Sequence, residues 1–330
     1  MTKRTIKQTL AALVCASGLI AGTVPTAAAD DPIVLRGITP WVSAYYWTEP
    51  FLRFQKLVNS RLKGKVTVSY LGANEVVPPF EQFEALRNGV VDVILGAASY
   101  YTGQVPEASA VLYTRLPPTE LRKNGYYDLM RQVHLDKGNV VYLANVGGGV
   151  DKAFRIFVNK EMDKPDFGGM KIRVTPVYVE LVKALGGSPI VMKPSEVYTA
   201  MERGVVDGYG WSYGGITDFG WHEVTKYVID QPFFSANTSI LINADVWNGL
   251  PQDVRDELEK IGQDLEAWAD TFMDKQNAKE DSLLKGLGLG FIKFSDADSQ
   301  RFMKLAYEEG WKAYMAANPE FGAKLRPLSE

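Results

Sequence analysis

Between residues 168 and 215 the chain alternates two periodicities. β-type runs at 171–175, 189–192 and 205–211 are separated by helical stretches at 178–185 and 195–203. Each helical stretch closes on a glycine, Gly186 or Gly204, where a left-handed C-cap fits without a Cβ clash. Pro194 and Ser195 suit the first turn of the second helix. The order strand, helix, strand, helix, strand predicts parallel strands joined by right-handed crossovers.

The same alternation occupies 33–96. Strands at 33–38, 65–71 and 90–95 enclose helices at 47–62 and 80–87. The two blocks share letters in register: Glu81, Ala85 and Gly89-Val90-Val91-Asp92 lie over Glu196, Ala200 and Gly204-Val205-Val206-Asp207. Two similar units predict an α/β protein with two lobes and a cleft between them; one continuous duplicated sheet is the alternative. Glu196 and Asp207 suggest an acid–base pair, but their recurrence as Glu81 and Asp92 favours a structural role.

Outside the repeats, a helix ends at 129–134 and strands are expected at 140–146 and 153–159. Gly147-Gly148-Gly149 lies between those strands and not between strand and helix, so it reads as a flexible crossover, not a phosphate cradle. A helix is expected at 221–228 and a returning strand at 237–243. Val254, Leu258, Ile261, Leu265, Trp268 and Phe272 step by four and three, the stripe of a helix. A helix over 251–284 would span about 50 Å, longer than one lobe. A strand at 290–294 and a helix capped at Ser295 end the chain.

Residues 1–29 read as a signal peptide. Lys3, Arg4 and Lys7 precede an apolar core, and Ala27-Ala28-Ala29 offers a cleavage site before Asp30. The single cysteine, Cys15, sits inside that core, and Val14 and Ala12 fit a lipoprotein motif poorly. Loss of three basic residues takes the net charge from −3 to −6, and no basic stripe invites nucleic acid. No later apolar run is long enough to cross a membrane.

Ligands of such sheets bind beyond the carboxyl ends of the strands. With a local strand order 2-1-3, Arg173 and Trp211 face one crevice, and a guanidinium there can grip a carboxylate with two parallel bonds. A surface arginine paired with an acid is the plainer reading. Trp41 and Tyr45, in the loop after the first strand, and Tyr100, after the third, are candidate walls or ordinary core. Tyr213 and Asn237 are further ligand-binding candidates. Gly210-Trp211-Ser212-Tyr213-Gly214 matches a nucleophile elbow, which keeps a secreted serine esterase as an alternative. The only histidine downstream, His222, is ten residues on and too close to come from a separate strand-end loop. Two isolated histidines and no mature cysteine leave no transition-metal set, so neither metal nor cofactor is expected.

The phrases MKIRV, ALGGSPIVM and PSEVYTAMERGVVDG resemble the solute receptors of tripartite ATP-independent periplasmic (TRAP) transporters, of the dicarboxylate-receptor type. The likeness is dense in this block and thinner from about Ile33 to the C-terminus. It implies a two-lobed periplasmic binding protein fold with a long helix across both lobes. It also implies a periplasmic location, a small organic acid as ligand, and small and large membrane subunits as partners. The lobes would comprise 30–148 with about 237–276, and 149–236 with about 277–330. Arg173 falls on the family's carboxylate-binding arginine, and Arg155 near a second ligand-facing one. Many members carry Glu-Asn-Pro after Val-Asp-Gly; here the asparagine position is Trp211, which implies an apolar or aromatic acid over a sugar acid. A receptor for another transporter class is the remaining alternative.

Overall fold

The computed structural model describes residues 31–147 and 153–330. The expected signal peptide, with Cys15, and Gly148 and Gly149 of the expected crossover lie outside the described residues. The first half builds β1 (Ile33–Ile38), α1 (Glu49–Arg61), β2 (Val66–Gly72), α2 (Gln82–Arg87) and β3 (Val93–Gly96). A 3-10 stretch at Pro106–Tyr113 then leads to α3 (Pro118–Leu121), α4 (Tyr126–Gly138) and β4 (Val140–Gly147). The second half builds β5 (Ala153–Val158), β6 (Lys171–Val174), α5 (Val179–Ala184), β7 (Ser188–Val191), α6 (Val197–Glu202), β8 (Gly208–Ser212) and β9 (Tyr227–Ser235). β10 (Asn237–Asn243), α7 (Ala244–Gly249), α8 (Gln252–Gly286), β11 (Gly290–Ile292), α9 (Asp296–Lys304), α10 (Gly310–Ala317) and α11 (Pro319–Leu325) follow.

The strands form two sheets, ordered β2-β1-β3-β10-β4 and β11-β9-β5-β8-β6-β7. Each repeat therefore has the 2-1-3 order, with its three strands parallel. A single continuous sheet is excluded. The shared Gly-Val-Val-Asp has the same duty in both halves. Asp92 Oδ2 accepts the Arg36 amide at 2.7 Å, while the Asp92 amide donates to Arg36 O at 2.9 Å. Asp207 Oδ2 accepts the Lys171 amide at 2.8 Å, and its own amide donates to Lys171 O at 2.7 Å. Each carboxylate stitches the entry of the third strand to the first.

One expected element is corrected. Residues 221–228 are not a helix: a single 3-10 turn, Trp221–Val224, gives way to strand β9. β9 pairs antiparallel with β5, which satisfies the Val228 and Ile229 backbone. The ladder slips between Phe154 and Ile156, opposite the stretch containing Pro232, which has no N–H to offer.

The chain passes between sheets side by side. β4 and β10 pair up to Gly147 opposite Asn237, and β5 and β9 resume with Ala153 opposite Ser235. The third connection is α8, with 35 residues and a length of about 50 Å. Its first half lies on α1 and β4. Farther along, Glu280 accepts the Thr217 amide and hydroxyl at 3.0 and 2.7 Å, so the helix reaches the second sheet's loops. Its buried face runs through Leu265, Ala269 and Met273, with Trp268 and Phe272 stacked on its flank at 4.6 Å and not in the stripe. The tail touches both halves: Phe302 lies 6.1 Å from the Phe233 ring, and the Tyr314 hydroxyl donates to Glu107 O at 3.0 Å.

Candidate ligand-binding cleft

The carboxyl ends of β6 and β8 are adjacent because Ile172 pairs with Gly208 and Arg173 with Tyr209. Arg173 is wholly buried. Its Nε and Nη2 donate to Met192 O at 3.0 and 2.8 Å, and its Nη1 to the Tyr178 hydroxyl at 3.3 Å and Gly210 O at 3.2 Å. The guanidinium carbon lies 5.3 Å from the centre of the Trp211 ring. All these acceptors are neutral, and among the described residues no carboxylate comes within ion-pair distance. The plainer reading of Arg173, a surface residue paired with an acid, is therefore wrong.

The local sequence makes this nest possible. A Cβ on Gly210 would sit 2.6 Å from the Tyr178 ring, so glycine lets Tyr178 reach Gly210 O, to which its hydroxyl donates at 2.8 Å. Gly214 and Gly215 serve the other half: Cβ atoms there would lie 2.7 Å from the Tyr46 hydroxyl and 2.2 Å from the Tyr45 ring. The elbow-like pattern Gly-Trp-Ser-Tyr-Gly thus reflects close packing across the cleft. Ser212 Oγ is engaged by the Tyr45 hydroxyl at 2.9 Å and donates to Gly214 O at 3.2 Å.

Beside Arg173 is a cavity of about 30 Å³, walled by both halves of the molecule. Trp41, Tyr45 and Tyr100 come from the first, Phe154, Thr175 and Trp211 from the second, and Asn237 and Thr238 from the crossing strand β10. The Trp41 ring stands edge-on to Tyr45, Tyr100 and Trp211 at 5.3, 5.9 and 6.1 Å. Its Nε1 donates to the Tyr100 hydroxyl at 3.2 Å. Trp41 also borders an outer pocket of about 160 Å³ that includes Pro79 of the first half and Phe219 of the second. Burial holds the Tyr45 and Tyr100 hydroxyls above the ordinary tyrosine pKa, with the Arg173 charge opposing it at Tyr100. Both act as neutral hydrogen-bonding groups.

Of the eight residues singled out from sequence, Trp41, Tyr45, Tyr100, Trp211 and Asn237 line this cavity. Arg173 contacts Trp211 and lies just outside the wall. Arg155 and Tyr213 pack on each other instead, with the guanidinium 5.0 Å from the ring centre. The Tyr213 hydroxyl donates to Asp281 of α8 at 2.5 Å. Burial lowers the Arg155 pKa, with Asp230 opposing. Thr175, Thr238 and Phe154 were not foreseen. Position alone could have indicated Thr175, two residues beyond Arg173 on one strand, and Thr238, beside Asn237.

Among the described residues no cluster of three or more His, Cys, Asp or Glu side chains could hold a metal, and no helix is long and apolar enough to cross a membrane.

The model of the bacterial extracellular solute-binding protein family 7, DctP, matches residues 41–318. The chain belongs to this family. A relative, the C4-dicarboxylate-binding periplasmic protein DctP of Rhodobacter capsulatus, is 26% identical over 317 residues, covering 92% of this chain and 89% of its own. A solute-binding protein of Albidiferax ferrireducens is 26% identical over 290 residues, 84% of this chain and 83% of its own. Among solved structures, a TRAP periplasmic solute binding protein from Desulfovibrio salexigens, with bound orotic acid, superposes with a TM-score of 0.81 at 21% identity. That match covers 90% of this chain and 97% of the other, and the two share the two-lobed fold. As a family 7 member the chain is a TRAP-type receptor, and the cleft between its lobes is the place to seek its solute.

Proposed function

We propose that this chain is the periplasmic receptor of a TRAP transporter. It captures a small organic acid in the cleft and delivers it to the small and large membrane subunits. The observation that carries the reading is Arg173: a fully buried guanidinium, hydrogen-bonded only to neutral groups, at the strand ends beside a two-sided cavity. A buried charge without a counter-charge is costly, and a ligand carboxylate supplies one. The relative from Rhodobacter capsulatus, named for C4-dicarboxylates, and the orotic-acid complex both concern carboxylates.

The lobes are 30–148 with about 237–276, and 149–236 with about 277–330. They part and close about the neighbouring strand ends, Gly147 beside Asn237 and Ala153 beside Ser235. Trp211 forms an apolar wall at the position where the family resemblance implies an asparagine. Catalysis has no part in this reading, because Ser212 is occupied by packing across the cleft; a fluorophosphonate label should leave it unmodified.

Calorimetry with an acid and its carboxamide tests the proposal. The acid should bind and the amide far less. Arg173→Ala should lose about 30-fold to several-thousand-fold in affinity, corresponding to about 2–5 kcal/mol for truncating a buried charged partner. Arg173→Lys should recover only part of it, because the ammonium lacks the planar fork. Equal binding of acid and amide would sink the proposal.

A further inference from the structure

Asn237, Thr175 and Thr238 line the cavity, and in each a buried side-chain oxygen has no hydrogen-bond partner among the described residues. Asn237 is the informative one. It is 7% exposed, and its Nδ2 donates to Val111 O at 3.1 Å. Turning the amide over would set two oxygens against each other, so the orientation is fixed and Oδ1 is left as a pure acceptor. Hydroxyls such as those of Thr175 and Thr238 donate or accept as the ligand requires. An amide oxygen accepts only, and buried acceptors are costly to leave unmet.

We infer that the ligand is an acid that also carries a hydrogen-bond donor, an alcohol O–H or an N–H, received by Asn237 Oδ1. The inference rests on the organic-acid reading above and narrows it. The carboxylate end belongs to Arg173, with the Thr175 hydroxyl two residues along the same strand face. The donor end belongs to Asn237 at the start of β10. A plain alkanoate or arylacetate presents a C–H to Oδ1, so it is bound at the expense of an unmet acceptor.

The test is a thermal-shift screen of acids in matched pairs, with and without the donor: lactate and propionate, mandelate and phenylacetate, malate and succinate, and a wider set built the same way. Ligand bound only by the folded protein raises the melting temperature. Calorimetry on the best pair then compares wild type with Asn237→Ala. The donor-bearing acid should bind wild type about tenfold or more tightly than its partner. In Asn237→Ala that preference should shrink to about threefold or less, the larger loss falling on the donor-bearing acid. Asn237→Leu, closer in volume, replaces the alanine variant if circular dichroism shows that variant unfolded, and the wild-type ratio is read independently of either. Acids that bind wild type without donor preference, or a preference that survives in the variant, overturn this inference and leave the organic-acid reading standing. Carboxamides that bind as well as the acids overturn both.

Discussion

Trp211 Nε1 donates to the Tyr45 hydroxyl at 2.8 Å, joining the end of β8 to the loop after β1. The same hydroxyl meets Ser212 Oγ at 2.9 Å, so one tyrosine from the first lobe ties down two consecutive residues of the second. Tyr46 adds a backbone bond, its amide donating to Asp218 Oδ2 at 3.2 Å. The contact closes the cavity on one side. It can form only when the lobes meet, so its energy counts towards the closed form alone.

Tyr45→Phe should therefore weaken ligand binding without harming the fold. Trp211 Nε1 would be left buried without its acceptor, at a cost of about 1–3 kcal/mol. That is an affinity loss of about fivefold to a hundredfold. Calorimetry on the two proteins measures it, with urea midpoints as the control for folding. An unchanged affinity would mean the contact is not made on binding.

Gly215→Ala is the steric counterpart. Gly215 has φ +91°, where a side chain is strained, and its new Cβ would lie 2.2 Å from the Tyr45 ring. The lobes should then fail to meet fully. Small-angle scattering of wild type should contract when a verified ligand is added. The variant should keep its ligand-free profile and bind at least about tenfold more weakly. Equal contraction in both proteins would count against closure through this contact.

The two repeats were legible in sequence because each depends on local alternation, and the meeting of Arg173 with Trp211 followed from a 2-1-3 order assumed for the second block, which the sheet has. Strand β9 was not legible. Trp221-His222-Glu223-Val224 has a helical look, and Pro232 interrupts a run that reads as a strand only once β5 is beside it. Past Leu265 the expected stripe keeps to one side of the helix, with Trp268 and Phe272 half-buried against the core, while the fully buried face turns away from it as α8 leaves the first sheet. The buried positions step by four to Ala269 and Met273. Trp41, Tyr45 and Tyr100 were found as strand-end residues, but Arg155 and Tyr213 turned to each other, a matter of side-chain direction that spacing does not encode. Thr175 and Thr238 escaped notice because threonine near a strand looks like a mere β-former.

The duplicated aspartates should matter for stability and not for binding. Asp207→Ala removes a charged acceptor from the Lys171 amide, worth about 1.5–3 kcal/mol. Asp92→Ala should cost a similar amount. The added Arg36 ion pair contributes little, because that arginine side chain is 46% exposed. Urea unfolding should show both losses, while calorimetry at a temperature where the variants are folded should show wild-type affinity. If Asp207→Ala abolished binding and left stability intact, its place would be in the ligand site and not in the repeat.

The last prediction concerns acid. His134, on α4, is wholly buried; its Nδ1 faces Met130 O at 2.7 Å and its Nε2 the Tyr101 hydroxyl at 3.1 Å. A nitrogen facing a carbonyl must carry the proton, so Nδ1 donates and Nε2 accepts from Tyr101. Burial pushes the imidazole pKa down to about 4, with the Met130 hydrogen bond opposing. An unfolded histidine titrates near 6.5. Between these values the unfolded chain holds the extra proton, so stability rises with pH through that window. The contribution is complete above about pH 6.5 and is lost as pH falls towards 4, to a total of about 3 kcal/mol. His134→Gln can keep both hydrogen bonds but cannot take up the proton. Urea unfolding free energies from pH 7.5 down to about 4.5 should fall more steeply for wild type than for the variant, the gap opening below about 6.5. Parallel curves across that range would show that the imidazole is protonated in the folded protein, or that it never lost its contact with water.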